Sequence, residues 1–160
     1  MIPANVEAHL RAHHPSYEHH RHAPAMSGQA LAHAEHVTGY RVAKVVAVKV
    51  GGRRALAVVS AAEKVRLGVL EEATGCEVEL VPEGELWGWF KACEVGAEPP
   101  LAFFGMPIFA DAGLLREKRI VMPGGTYQDS IVVDTEEWAR CEKVQEIPNL
   151  AAAAAPRPWA

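Results

Sequence analysis

No run of about 18 apolar residues exists in this chain, which excludes a bilayer-spanning helix. The opening MIPANVEAHL has no basic region ahead of an apolar stretch, so no secretory signal is expected. Cysteine is sparse: Cys76, Cys93 and Cys141 lie far apart with no CxxC, a pattern that fits reduced thiols in a cytoplasm. Each is expected to act as a small buried hydrophobe. Basic charge is not in excess. The formal net charge of −4 argues against a strong nonspecific nucleic-acid binder. There is no GxxxxGKS/T phosphate loop, GxGxxG fingerprint, GxSxG elbow or internal repeat, so the local signatures of several common enzyme folds are missing.

The 160 residues that are present suffice for one domain with a real core. Their 49% apolar and 22% charged content is that of an ordinary globular protein. The charge is unevenly spread. Residues 41–66 hold seven basic side chains and one acid, Glu63, whereas residues 67–100 hold eight glutamates and one base, Lys91. A two-sided molecule is expected, basic around one hairpin and acidic on its flank.

Asn5 can cap a first helix running to about His14, where Pro15 stops it. Tyr17 to His22 reads as extended. Ser27 is a good N-cap for SGQALAHAEHV, and Thr38-Gly39 supplies a stop. Arg41 to Val50 (RVAKVVAVKV) suits a strand buried on both faces, and Gly51-Gly52 suits a two-residue hairpin loop into Arg54 to Ser60. With that loop Lys44 falls opposite Val59. A helix from Leu67 to Thr74 ends at Gly75, and a strand follows over Cys76 to Val81. Pro82 begins a helical turn, and Cys93 to Gly105 is loop by composition. Strands are expected at Met106 to Ala110, Arg119 to Met122 and Ser130 to Val133, with a turn at Asp111-Ala112-Gly113. Asp134 starts a last helix anchored by Trp138. The expected architecture is a single mixed α/β (α+β) domain, residues 1–147, around a curved, largely antiparallel sheet flanked by helices. The tail, residues 148–160, is expected to be disordered.

Two features carry chemistry. Lys44 shares a strand face with Val42, Val46, Val48 and Val50, so it must reach solvent, pair with an anion or line a cleft. All eight histidines precede residue 37. His9 and His13 have a spacing that can bind a metal, but no HExxH, cysteine pair or carboxylate at a matching offset completes a site, and neither metal nor cofactor is expected.

Five separated pieces then recur in order: H-x-P-x-x-S with His22 and Ser27, A-K-V-V-A-V with Lys44, V-G-A-E-P-P-L-A with Gly96 and Pro100, P-I-F-A-D with Asp111, and P-G-G-T-Y-Q-D-S with Gly125 and Ser130. In that order and spacing, from about Val6 to Val144, the chain resembles the YbaK/prolyl-tRNA-synthetase-associated editing family. His22, Lys44, Gly96, Pro100 and Asp111 match that pattern. Ser27 replaces a threonine, Ala97 and Ala102 replace glycines, Pro99 stands where serine is usual, and Ser130 where relatives carry Asp or His.

The resemblance implies a cytoplasmic aminoacyl-tRNA deacylase that hydrolyses the ester of a mischarged tRNA in trans. Backbone N–H groups of Gly96 and Ala97 would stabilise the oxyanion. Lys44 would hold the 3′ end as a point charge, with a general-base role open. His22, Ser27, Pro100, Asp111, Gly125 and Ser130 would line or orient the substrate site. The implied partners are the acceptor end of a mischarged tRNA and an aminoacyl-tRNA synthetase, for a monomer or weak dimer that has no membrane partner. The loop substitutions leave a second reading, a noncatalytic module on the same fold that binds tRNA ends, amino acids or a synthetase.

Overall fold

The computed structural model describes residues 1–154. In chain order its elements are α1 (Ala4–His13), β1 (Glu18–Arg21), α2 (Gly28–Ala34), β2 (Ala43–Val50), β3 (Arg53–Ser60), β4 (Glu63–Val65), α3 (Leu67–Thr74), β5 (Val78–Leu80), β6 (Ile108–Asp111), α4 (Ala112–Leu115), β7 (Arg119–Pro123), β8 (Asp129–Asp134), α5 (Thr135–Cys141), β9 (Gln145–Ile147) and β10 (Ala151–Ala153). Single 3-10 turns lie at Gly39–Arg41, Glu83–Glu85 and Ala102–Phe104.

The β2–β3 hairpin is the spine. Gly51 and Gly52 take φ of 57° and 81°, the positive pair that a two-residue hairpin turn needs. That turn sets the register, with Val50 opposite Arg53 and Lys44 opposite Val59. β5 adds antiparallel to β2, while β6 and then β9 add parallel on the β3 side, giving the mixed order β5-β2-β3-β6-β9. A second, antiparallel sheet, β1-β8-β7, joins the first through a bridge between Val42 and Val121. Lys49 faces Glu79 across β2 and β5, so the basic and acidic stretches meet at this edge of the sheet.

The alternation of strand side chains divides the core. One hairpin face, with Ala43, Ala47, Leu56 and Val58, packs on Val6 and Leu10 of α1, on Leu101 and on Trp138 of α5. The other, with Val48, Ala57 and Val59, packs on Leu70 of α3 and on Leu150. Fully burying each such Leu or Val contributes about 1.5–3 kcal/mol, which holds helices to both faces.

Several local expectations are corrected. Asn5 does not cap α1; Pro3 precedes the helix, and Asn5 donates to the Lys91 carbonyl at 2.9 Å. α2 ends at Ala34, before Thr38-Gly39, because His36 adopts a φ of 56° and breaks the helix. Asp111 starts a helix rather than a turn, its side chain accepting the Gly113 N–H. The domain does not stop at residue 147. Leu150 is fully buried and Ala151–Ala153 pairs antiparallel with β4, so residues 148–154 are ordered. Residues 155–160 of the expected tail lie outside the described residues. No helix among the described residues is long and apolar enough to cross a membrane.

Candidate active site

β2 has a gap in its outer edge. β5 covers that edge only over Val48–Val50, and the Val42–Val121 bridge meets its start. Ala43 to Ala47 therefore open onto a cavity of about 400 Å³. The Ala47 carbonyl accepts the Val81 N–H on this edge, so the backbone groups of Val45, two residues earlier, turn toward the cavity as well. Ala25–Gly28 and the 96–98 loop form the facing walls, and Leu31, Val81 and Leu86 supply apolar lining.

Lys44 lines this cavity and is half-buried. Its ammonium donates to the Glu63 carbonyl in β4. Burial pushes the lysine pKa down, and the Glu63 charge offsets part of that shift. Of the three alternatives open to a lysine on a valine face, the fold takes the cleft, and the ammonium is met there by a neutral carbonyl oxygen rather than an anion. Ser27 lines the opposite wall, where its Oγ accepts the Ala30 N–H at 3.1 Å and caps α2, leaving its own hydroxyl proton free to point elsewhere.

Gly96 and Ala97 reach the same cavity. Their N–H groups are both engaged within the loop, however. Gly96 donates to Glu98 Oε1 at 2.7 Å, and Ala97 donates to the Glu94 carbonyl at 3.0 Å. Neither N–H is free in this arrangement, because a carboxylate occupies one and a backbone carbonyl the other. Glu98 is buried, and burial pushes its carboxyl pKa up; the Gly96 N–H and its own N–H oppose that, and the Glu83 charge reinforces it. The neighbouring Cys93 thiol is pushed up to about 12, first by burial and then by the Glu98 charge, which makes it unreactive.

Asp129 is the third carboxylate on the wall, with Glu83 and Glu98. Burial alone would raise its pKa. Hydrogen bonds from Thr126 (2.5 Å), the N-terminal ammonium (2.9 Å) and His19 (2.5 Å) outweigh burial and hold it well below the usual carboxylate range. Lys44 is the single lysine or arginine among the lining residues, against three acids.

The remaining expected site residues are not among those that line the cavity. Gly125 braces the loop: its N–H donates to the Ala97 carbonyl at 2.8 Å, and its carbonyl accepts the Glu94 N–H at 2.9 Å. Ser130 donates to Glu35, which His20 also meets at 2.9 Å. Burial would raise the Glu35 carboxyl, but those two bonds and the charges of His20 and His22 lower it overall. His22 is half-buried, with Nδ1 2.7 Å from the Ala23 carbonyl. The Pro100 carbonyl accepts the Trp138 indole N–H at 2.9 Å. Asp111 is buried, and besides capping α4 it accepts the Ala151 N–H at 3.2 Å, pinning β10. Glu98 and Glu83 were not singled out by sequence reasoning. Glu98 sits inside a quoted motif, and an acid in a run of apolar and proline residues is the one signal that marked it.

The profile of the aminoacyl-tRNA editing domain matches residues 22–141, more than half of the chain, and the protein belongs to that family. No curated protein matches the sequence. Among solved structures, a hypothetical protein superimposes with a TM-score of 0.83 at 17% identity, covering 92% of this chain and 99% of its own. A provisionally assigned trans-editing enzyme for prolyl tRNA synthetase gives 0.80 at 15% identity, over 92% and 98%. A provisionally assigned signal transduction protein from Marinobacter aquaeolei VT8 gives 0.73 at 14% identity, with 95% of this chain matching 31% of that one. At such identities these three likenesses establish a common fold.

Proposed function

We propose that the protein is an aminoacyl-tRNA deacylase that acts in trans on mischarged tRNA. The observation that carries this reading is that Lys44 and the Gly96–Ala97 loop, about fifty residues apart in sequence, open onto one cavity in a chain of the editing family. Water adds to the ester carbonyl, the carbon–oxygen bond to the ribose breaks, and the free amino acid and the tRNA hydroxyl leave. An ester is activated enough for this without a protein nucleophile, which agrees with the inert Cys93 thiol.

Lys44 supplies a point charge for the 3′ end, and its lowered pKa eases a proton-relay role. The acidic wall of Glu83, Glu98 and Asp129 suits the ammonium of an aminoacyl group. In this reading Glu98 leaves the Gly96 N–H when substrate enters, pairs with that ammonium and frees the donor for the oxyanion. Trp87, 92% exposed and adjacent to the lining Leu86, offers a stacking face for a terminal base. The apolar lining selects by size, worth about 1–3 kcal/mol per methylene.

The test is deacylation of a panel of mischarged tRNAs by the wild type and by Lys44→Ala. One observation favours the second reading, a noncatalytic module: the Glu98 carboxylate already fills the anion position. Tight binding of an uncleavable aminoacyl-adenosine analogue without turnover of any ester would select it.

A further inference from the structure

A second polar cluster joins the two ends of the domain, away from the cavity. α1 ends at His13, and the chain leaves it through His14, which is fully buried. His14 Nε2 stands 2.5 Å from Glu142 Oε2, and His9 Nε2 stands 2.8 Å from the same oxygen. Ligand atoms of all three lie within 4.8 Å of one another. The sequence spacing suggested His9 with His13 and no carboxylate. The fold instead pairs His9 with His14 and brings in a carboxylate 128 residues from His14. Glu142 follows α5, and its other oxygen accepts the Ala102 N–H at 2.7 Å, which aims Oε2 at the two imidazoles.

The far side of His14 is informative. Its Nδ1 is buried without a hydrogen-bond partner, and so is Glu137 Oε1, 3.7 Å away. A neutral imidazole has one ring proton, but this ring lies between two carboxylates. With the proton on Nε2, the Nδ1 lone pair faces Glu137. With it on Nδ1, the Nε2 lone pair faces Glu142. A second ring proton, or a metal ion between Nε2 and Oε2, resolves both contacts, and His9 Nε2 stands 2.8 Å from the same oxygen as a further donor for an ion.

We propose that His9 Nε2, His14 Nε2 and Glu142 Oε2 bind a zinc ion, with solvent in the fourth position. Two imidazoles and one carboxylate form an established zinc donor set. At metal–ligand lengths of about 2.0–2.2 Å, tetrahedral donors stand about 3.3 Å apart, so each imidazole nitrogen needs to back away from Glu142 Oε2 by less than about 1 Å. His14 Nδ1–H then donates to Glu137, the carboxylate contact that commonly orients a zinc-bound imidazole. The His9 side chain is 13% exposed and gives the ion a route in, and Phe103 stacks on its ring at 4.9 Å. None of the three ligands lines the cavity. The ion is a clamp: it ties α1 to α5 and, through Ala102, to the chain that continues from the Gly96–Glu98 loop.

The experiment uses tag-free protein stripped with a chelator and dialysed, then titrated with zinc chloride by calorimetry and with cobalt(II) by absorption. One zinc per chain, visible d–d bands of a four-coordinate cobalt site and a raised unfolding temperature are expected. His9→Ala removes a partly exposed ring and leaves the fold intact by circular dichroism, yet weakens zinc binding at least tenfold. Glu137→Gln weakens it about 10–100-fold. Replacing the exposed His33 and His36 by alanine leaves binding unchanged. Absence of stoichiometric zinc on the wild type, or undiminished binding by folded His9→Ala, overturns the proposal.

Discussion

Replacing Asp129 by asparagine removes a charge on which three donors converge. Thr126 Oγ1 and His19 Nε2 each lie 2.5 Å from its oxygens, and the N-terminal ammonium lies 2.9 Å away. A hydrogen bond to a charged acceptor contributes about 1.5–3 kcal/mol, and one to a neutral acceptor about 0.5–1.5. The two shorter bonds therefore lose about 2–3 kcal/mol together when the acceptor becomes neutral. The ammonium is on an exposed residue and adds under about 1 kcal/mol. The pH dependence has a fixed sign. The folded carboxyl sits below its ordinary value, so its stabilisation is complete above the unfolded value of about 3.9 and is lost as pH falls toward the folded one. Urea unfolding of wild type and Asp129→Asn at neutral pH should differ by about 2–3 kcal/mol, and the gap should narrow as the pH drops below about 4. A variant within about 0.5 kcal/mol of wild type at neutral pH, or a gap that stays constant on acidification, refutes the reasoning.

Other substitutions test the roles of neighbouring residues. Gly125→Ala should cost about 2–4 kcal/mol in urea unfolding, since its φ is +93° and a Cβ there would lie 2.7 Å from Pro3 Cδ; the braced 94–97 loop should lose deacylation with it. Glu98→Gln should be at least as stable as wild type at neutral pH. The folded carboxyl is raised, so ionising it costs stability as pH climbs from about 4.3 through the folded value, and thermal unfolding across pH should show that decline only in wild type. Asp111→Ala should lose about 1 kcal/mol of helix capping, together with the Ala151 contact, while KM for substrate holds, which an Asp111 that touched substrate would not allow.

The parts of the fold that local rules govern were legible in the sequence. Gly51-Gly52 dictates its own turn, and the turn dictates that Lys44 faces Val59. Ser27 caps α2 because a hydroxyl one residue before a helix has few better partners. β10 was hidden because a run of alanines carries no alternation; its pairing to β4 is backbone chemistry, and Asp111 secures it from 40 residues away. Asp111 matched a motif yet serves as cap and anchor, since a motif conveys residue type and not which way the side chain turns. Glu98 on Gly96 follows from loop geometry, and Glu142 between His9 and His14 requires the chain ends to meet. Neither arrangement has a local signature. Of the expected site residues, Ser27, Lys44, Gly96 and Ala97 come together on the cavity wall, and His22, Pro100, Asp111, Gly125 and Ser130 do not line it.

Single-turnover release of amino acid from a panel of mischarged tRNAs tests the central claim most directly. The account predicts that at least one mischarged tRNA is deacylated well above its spontaneous rate and that folded Lys44→Ala lowers that rate by about 10–100-fold, the cost of a misplaced 3′ end. Inactivity toward every pair would contradict the deacylase reading, and an undiminished rate in Lys44→Ala would remove the lysine from the reaction.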